Sequence, residues 1–267
     1  MTIKDVNSSF GAFQVDLTND FYGDTFWDKI ENGTYEPDTL NFLKCFVNTK
    51  TDFIDLGVAN GAMSIISALL GARVLGYEAM PGIWRVANRN IELNDMNNSV
   101  NIRNRAISNR GGAMLLVSKS DPSVLSSIVF SGIEDSQTEI QLDDLASAIQ
   151  EFHIRDRNLV VKIDIEGAEW ELLKDINTIQ SLKRTGAVVL LAIHPGFHRP
   201  YLKLPLGLAV LSKNFWHLRN AMECYRVFRS LEANATVLRT NFDSVRSSKR
   251  AVALMFGGCH EFIVVFR

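Results

Sequence analysis

The chain has 267 residues, 46% of them hydrophobic and 22% charged, with a formal net charge of −2. That is enough chain for one sizeable α/β domain whose core needs no disulfide staples. The charge balance gives no electrostatic footprint for nucleic acid, which usually demands a clearly basic face, and no run reaches the about 18 apolar residues of a membrane span.

Residues 1–50 are aromatic-rich, with Phe10, Phe13, Phe21, Tyr22, Phe26 and Trp27, and read as an N-terminal helical cap on a main domain at 51–267. Met1–Asp5 is followed by no apolar run, so it is not a signal peptide, and the protein reads as cytoplasmic. Cys45, Cys224 and Cys259 form no CxxC pair, which suits a reducing compartment. Glu36-Pro37-Asp38 marks a turn and helix start; Leu40, Leu43, Phe46 and Val47 follow at helical spacing.

Short apolar runs and helical patterns then alternate. Strands are expected at Thr51–Leu56, Arg73–Tyr77, Val100–Arg105, Leu159–Ile165 and Ala187–Ile193. Helices are expected at Ala62–Leu70, Ile83–Leu93, Leu145–Phe152 and Glu169–Ile176. Ala113–Val117 reads as a hairpin arm after Gly111-Gly112, and Thr138–Leu142 as a short strand. Such alternation argues for a parallel sheet with helices on both faces.

Pro200 and Pro205 precede a helical stripe of Phe215, Leu218, Met222, Tyr225 and Phe228, read as core packing. Arg239, Arg246, Lys249 and Arg250 mark a solvated loop, so 196–250 reads as an insertion on the substrate side. Glu261–Phe266 is a closing strand.

The sharpest local signal is Phe53-Ile54-Asp55-Leu56-Gly57-Val58-Ala59-Asn60-Gly61. An apolar strand ends in an acid, and a loop with two glycines opens a helix. Glycines permit positive φ and close approach of a ligand, and the helix start offers free N–H groups. This joint sits at the carboxyl edge of a sheet, where α/β proteins bind ligands. A dinucleotide fingerprint needs GxGxxG; here the spacing is Gly57-x-x-x-Gly61 behind Asp55. The carboxylate would repel a pyrophosphate and suits the amino group of S-adenosylmethionine. Glu78, 21 residues after Gly57, ends the next strand and matches an acid that bonds ribose hydroxyls. A third cluster, Lys162-Ile163-Asp164-Ile165-Glu166-Gly167-Ala168-Glu169, puts carboxylates where a strand breaks and a helix begins. Buried acids are costly unless paired or functional; Glu169 also suits a helix N-terminus.

Together these segments resemble the FkbM family of class I S-adenosylmethionine-dependent methyltransferases. Residues 53–61 look like its first motif. Gly76-Tyr77-Glu78-Ala79-Met80-Pro81, with Asn90 and Asn94, resembles its second. Gln141-Leu142-Asp143-Asp144-Leu145 is similar to an element before the fourth strand, and 162–169 is the most family-specific stretch. The resemblance implies a Rossmann-like, mostly parallel seven-stranded sheet with S-adenosylmethionine across its carboxyl edge. Asp55, Gly57, Asn60, Gly61, Glu78, Ala106 and Asp164 are its expected cofactor residues. It also implies O-methylation of a hydroxyl on a small metabolite, sugar or polyketide. Ala192 stands where the family often has an acid, and the loop Asn104–Asn109 lacks an acid near its end.

A hydroxyl acceptor needs its proton removed, for which Asp164, Glu166 and His194 are the candidate groups. No metal is assigned, although those same three side chains are the ones that could converge on one. N- or carboxyl-methylation and an inactive cofactor-binding protein are the alternatives. An RNA substrate rests only on Arg103, Arg105 and Arg110. The aromatic N-terminus leaves a homo-oligomer open.

Overall fold

The computed structural model describes residues 2–109, 112–118, 136–165, 168–194, 209–256 and 260–267. The chain opens with an antiparallel hairpin, β1 (Ile3–Ser8) and β2 (Gly11–Asp16), followed by α1 (Asp24–Glu31) and α2 (Pro37–Phe46). The first 50 residues thus hold two strands besides the expected helices. The strands are faint in sequence because only Val6, Phe13 and Val15 turn fully inward.

There follow β3 (Thr51–Leu56), α3 (Ala62–Leu69), β4 (Arg73–Tyr77), α4 (Pro81–Leu93), β5 (Val100–Arg103), β6 (Ala106–Ser108), β7 (Gly112–Ser118) and β8 (Ser136–Asp144). Then come α5 (Leu145–Phe152), β9 (Asn158–Ile163), α6 (Glu169–Lys174), α7 (Ile176–Thr185), β10 (Val188–Ala192), α8 (Ala209–Asn234), β11 (Ala235–Arg239), α9 (Ser248–Phe256) and β12 (Glu261–Phe266).

Seven strands form one sheet in the order β11-β12-β10-β9-β3-β4-β5. The five from β10 to β5 are parallel, and β12 runs antiparallel between β10 and β11. This is the mostly parallel, Rossmann-like sheet expected. A smaller sheet, β6-β8-β7, stands apart from it. The chain steps from β3 outward through β4 to β5, then returns to β9 on the other side of β3. That reversal opens a crevice between the carboxyl ends of β3 and β9.

Side chains alternate across the strands and build two cores. Ile54, Leu56, Leu75, Tyr77, Val161, Leu191 and Phe262 pack with α5, α6, α7, α8 and α9 on one face. Phe53, Val74, Val160, Leu190 and Ile263 pack with α1, α2, α3 and α4 on the other.

Three expected elements end differently. The expected helix Glu169–Ile176 stops at Lys174, and an unexpected one, α7, begins at Ile176, because Asp175 is extended and its carboxylate accepts the Thr178 N–H at 2.7 Å, capping α7. The expected strand Val100–Arg105 stops at Arg103, after which Asn104 Nδ2 donates to the carbonyls of Glu78 and Ala79. The basic stretch 239–250, expected as a loop, begins in β11 and ends in α9.

Candidate active site

β3 is buried along its whole length and leads into Gly57. Gly57 has φ +84°, a left-handed conformation natural to glycine. A Cβ there would stand 2.0 Å from the Asp164 carbonyl oxygen, so the ends of β3 and β9 meet only because residue 57 has no side chain. Gly57 and Val58 donate their N–H groups to the Tyr77 carbonyl at 3.0 and 3.2 Å, pinning the loop to β4. Gly61, at φ +95°, N-caps α3.

Asp55 is fully buried. Its Oδ2 accepts from Ser64 Oγ at 2.7 Å, while Oδ1 accepts no hydrogen bond and lies 3.8 Å from Lys162 Nζ. Burial pushes its carboxyl up, against the pull of Lys162 and Ser64. Lys162 Nζ sits 2.9 Å from Asp164 Oδ2. Burial alone would lower the Lys162 ammonium, but Asp164 and Asp55 outweigh it and hold the group above the ordinary lysine range. Burial likewise opposes ionisation of Asp164, yet Lys162 wins and holds that carboxyl below the usual carboxylate range.

Glu78 follows β4 and keeps both oxygens occupied. Ala59 N–H donates to Oε2 at 3.1 Å and Met80 N–H to Oε1 at 2.9 Å. Burial still pushes its pKa up to about 7. The Asn60 carbonyl accepts from Asn90 Nδ2 at 3.0 Å, and Asn90 Oδ1 accepts from Asp16 N–H at 2.9 Å. Asn94 exchanges two hydrogen bonds with the Gln14 backbone. The two asparagines of the second motif therefore tie the cofactor-side loop and α4 to the leading hairpin.

A cavity of about 380 Å³ opens at this sheet edge. Gly57, Asn60, Glu78, Ala106, Asp164 and His194 line it, whereas Asp55 and Gly61 do not. His194 Nδ1 lies 2.7 Å from Oε1 of Glu169, which is fully buried, and its Nε2 lies 3.6 Å from Asp164 Oδ1. Glu166 lies outside the described residues. Among the described residues no group of three His, Cys, Asp or Glu side chains is placed to hold a metal ion.

The sequence reading missed part of the wall. Phe21, Tyr22, Phe26 and Tyr35 line the cavity from the cap, and Glu36 joins them from a left-handed backbone, φ +40°. The density of aromatics before residue 36 was the available signal. Ala192 pairs in register with Glu261 of β12, so a carboxylate does reach this edge, from a neighbouring strand. Burial, with Glu36 and Asp164 nearby, pushes the Glu261 pKa up to about 7.

These groups fit S-adenosylmethionine. Glu78 offers a backbone-anchored carboxylate of the kind that bonds ribose hydroxyls. Asp164 is held ionised in the wall and favours a cationic ligand, and Asp55 Oδ1 is a buried acceptor without a hydrogen bond beside the glycine loop.

No curated protein matches the chain. Among solved structures, a geranyl diphosphate methyltransferase in complex with S-adenosylmethionine is 10% identical, with 90% of this chain and 85% of that chain covered and a TM-score of 0.39. An O-methyltransferase from Bacillus cereus in complex with S-adenosylhomocysteine is 13% identical, with 86% and 79% covered and a TM-score of 0.42. A Podospora anserina methyltransferase bound to S-adenosylhomocysteine is 9% identical, with 91% and 82% covered and a TM-score of 0.43. Likenesses this distant say nothing of the reaction. The Methyltransferase FkbM domain matches residues 55–203. That span is over half of the chain and holds the glycine loop, Glu78, Asp164 and His194, so the protein belongs to the FkbM family and is a methyltransferase whose cofactor is S-adenosylmethionine.

Proposed function

We propose that the enzyme O-methylates a hydroxyl on a small metabolite, sugar or polyketide, in the cytoplasm. Asp55, Gly57, Asn60, Gly61, Glu78, Ala106 and Asp164 would hold the cofactor, and residues 1–50 act as a cap over it. Bound there, S-adenosylmethionine supplies an electrophilic methyl group whose bonding pair stays on sulfur as it leaves. His194 takes the acceptor's hydroxyl proton. Asp164 stays ionised beside Lys162 and steadies the imidazolium that results. The observation that supports this reading is a histidine in the cavity wall, set between a buried carboxylate and an ionised one. Positioning of the two reactants supplies much of the rate, and a placed base adds about 10²–10⁴-fold.

The test is a panel of hydroxyl, amine and carboxylate acceptors, read as S-adenosylhomocysteine formed. Turnover of hydroxyl acceptors is expected, and His194→Gln should lower it by about 10²–10⁴-fold with cofactor binding retained. Turnover of amines alone, unaffected by His194→Gln, would sink the proposal.

Glu78 adds a pH signature. Its carboxylate form is the better acceptor for ribose hydroxyls, and it forms as pH rises through about 7. S-adenosylhomocysteine affinity should therefore rise about tenfold between about pH 6 and pH 8, and Glu78→Gln should flatten that rise in a calorimetric titration. The same raised pKa makes Glu78's contribution to the stability of the free protein greatest below its ordinary 4.5 and lost as pH climbs through about 7.

A further inference from the structure

Two groups in the cavity wall compete for the role of base, Asp164 and His194. Asp164 is the weaker candidate. Lys162 Nζ occupies its Oδ2 at 2.9 Å, and the pair holds it ionised well below the usual carboxylate range, so it has little pull on a hydroxyl proton. His194 has a neighbour that Asp164 lacks. Glu169, from the first turn of α6, is fully buried and stands outside the cavity wall. Its Oε1 lies 2.7 Å from His194 Nδ1, across 25 residues of sequence.

A carboxylate can only accept, so the nitrogen within hydrogen-bond distance of it, Nδ1 at 2.7 Å, must carry the hydrogen, whereas Nε2, 3.6 Å from Asp164, is too far from that carboxylate to donate to it. That sets the Nδ1–H form of the ring and leaves the lone pair on Nε2, which lies toward Asp164 and the cavity. In water the free side chain favours the opposite tautomer. A buried acid in a first turn can also serve simply as a complement to the helix. But α6 is only six residues long, and this carboxylate reaches a side chain two residues past the end of β10.

We infer that Glu169 is a positioning residue that fixes His194 as the Nδ1–H tautomer and so makes Nε2 the base of the site. The inference rests on the reading of His194 as the base for a hydroxyl acceptor. The division of work follows the physics of acid–histidine pairs elsewhere: the acid orients the ring and steadies the imidazolium without taking the proton itself.

The test needs no acceptor. The full chain is labelled with ¹⁵N-histidine and studied with S-adenosylhomocysteine present, at a pH where the ring is neutral. The His194 signals are assigned by their loss in His194→Gln. The intact protein is expected to show Nδ1 protonated. Glu169→Gln, which keeps an acceptor oxygen of the same reach, should preserve that form. Glu169→Ala should shift the ring to the Nε2–H form while S-adenosylhomocysteine binds as before. An Nε2–H ring in the intact protein overturns the inference, and that result stands even where Glu169→Ala does not fold. Survival of the Nδ1–H form in folded Glu169→Ala overturns it too. Failure of the methyl-transfer reading would show elsewhere, as absent turnover in the acceptor panel.

Discussion

Replacing Gly57 with alanine should cost at least about 100-fold in affinity for S-adenosylhomocysteine, ~2.7 kcal/mol. Two penalties coincide at this position. The backbone sits at φ +84°, where an L side chain is strained by about 1–3 kcal/mol. The new Cβ would also lie 2.0 Å from the Asp164 carbonyl oxygen and 3.1 Å from its carbon, and both are backbone atoms that cannot rotate away. Overpacking of this kind costs about 1–3 kcal/mol more. Relief requires β3 and β9 to part at the point where Asp164 N–H donates to the Leu56 carbonyl at 3.1 Å. That movement carries Asp164 and the loop out of register with Glu78. Fluorescence titration of the folded variant checks this, and an affinity within a few-fold of the parent would contradict it.

The second large effect lies at the other end of the same strand. Asp52 is fully buried, with parity that turns it toward the α5 side of the sheet. Its Oδ1 takes Arg157 Nε at 2.7 Å and Arg73 Nη1 at 3.2 Å. Its Oδ2 takes the Ile154 N–H at 2.8 Å and lies 3.3 Å from His153 Nδ1. Asp52→Ala would strand the Arg157 guanidinium, whose side chain is 21% exposed, without its counter-charge. Breaking a buried pair from one side costs about 3–5 kcal/mol. Arg73 is more exposed and adds little. Denaturant unfolding should show the loss, while cofactor affinity at the opposite sheet edge stays within a few-fold. A loss under about 1 kcal/mol would mean that the cluster is surface decoration.

Much of this site was legible because its signals are local. The Asp55–Gly61 loop, Glu78 and the 162–169 run each declare themselves within about ten residues. β9 and β10, too, hold unbroken apolar runs, Leu159–Val161 and Val188–Ala192, which is how parallel sheets buried on both faces read in sequence. What stayed hidden depends on partners far along the chain. β11 is an edge strand with only Val237 buried, so it carries no alternation. Asp175 reads as one more helical acid until its carboxylate is seen to cap the next helix. The bond between Glu169 and His194 joins two elements that no spacing relates. Glu261 reaches the edge beside Ala192 only because β12 runs antiparallel. The expected contact of Asp55 with the cofactor is the least direct, since Asp55 is fully buried and is not part of the cavity wall.

The central claim is that this sheet edge binds S-adenosylmethionine through Glu78 and the glycine loop. Calorimetric titration of the full chain with S-adenosylhomocysteine, beside a Glu78→Ala variant, tests it most directly. Micromolar binding by the parent, weakened at least about tenfold (~1.4 kcal/mol) in the variant, is the predicted result. No binding by the folded parent, or equal binding by the two proteins, would contradict it.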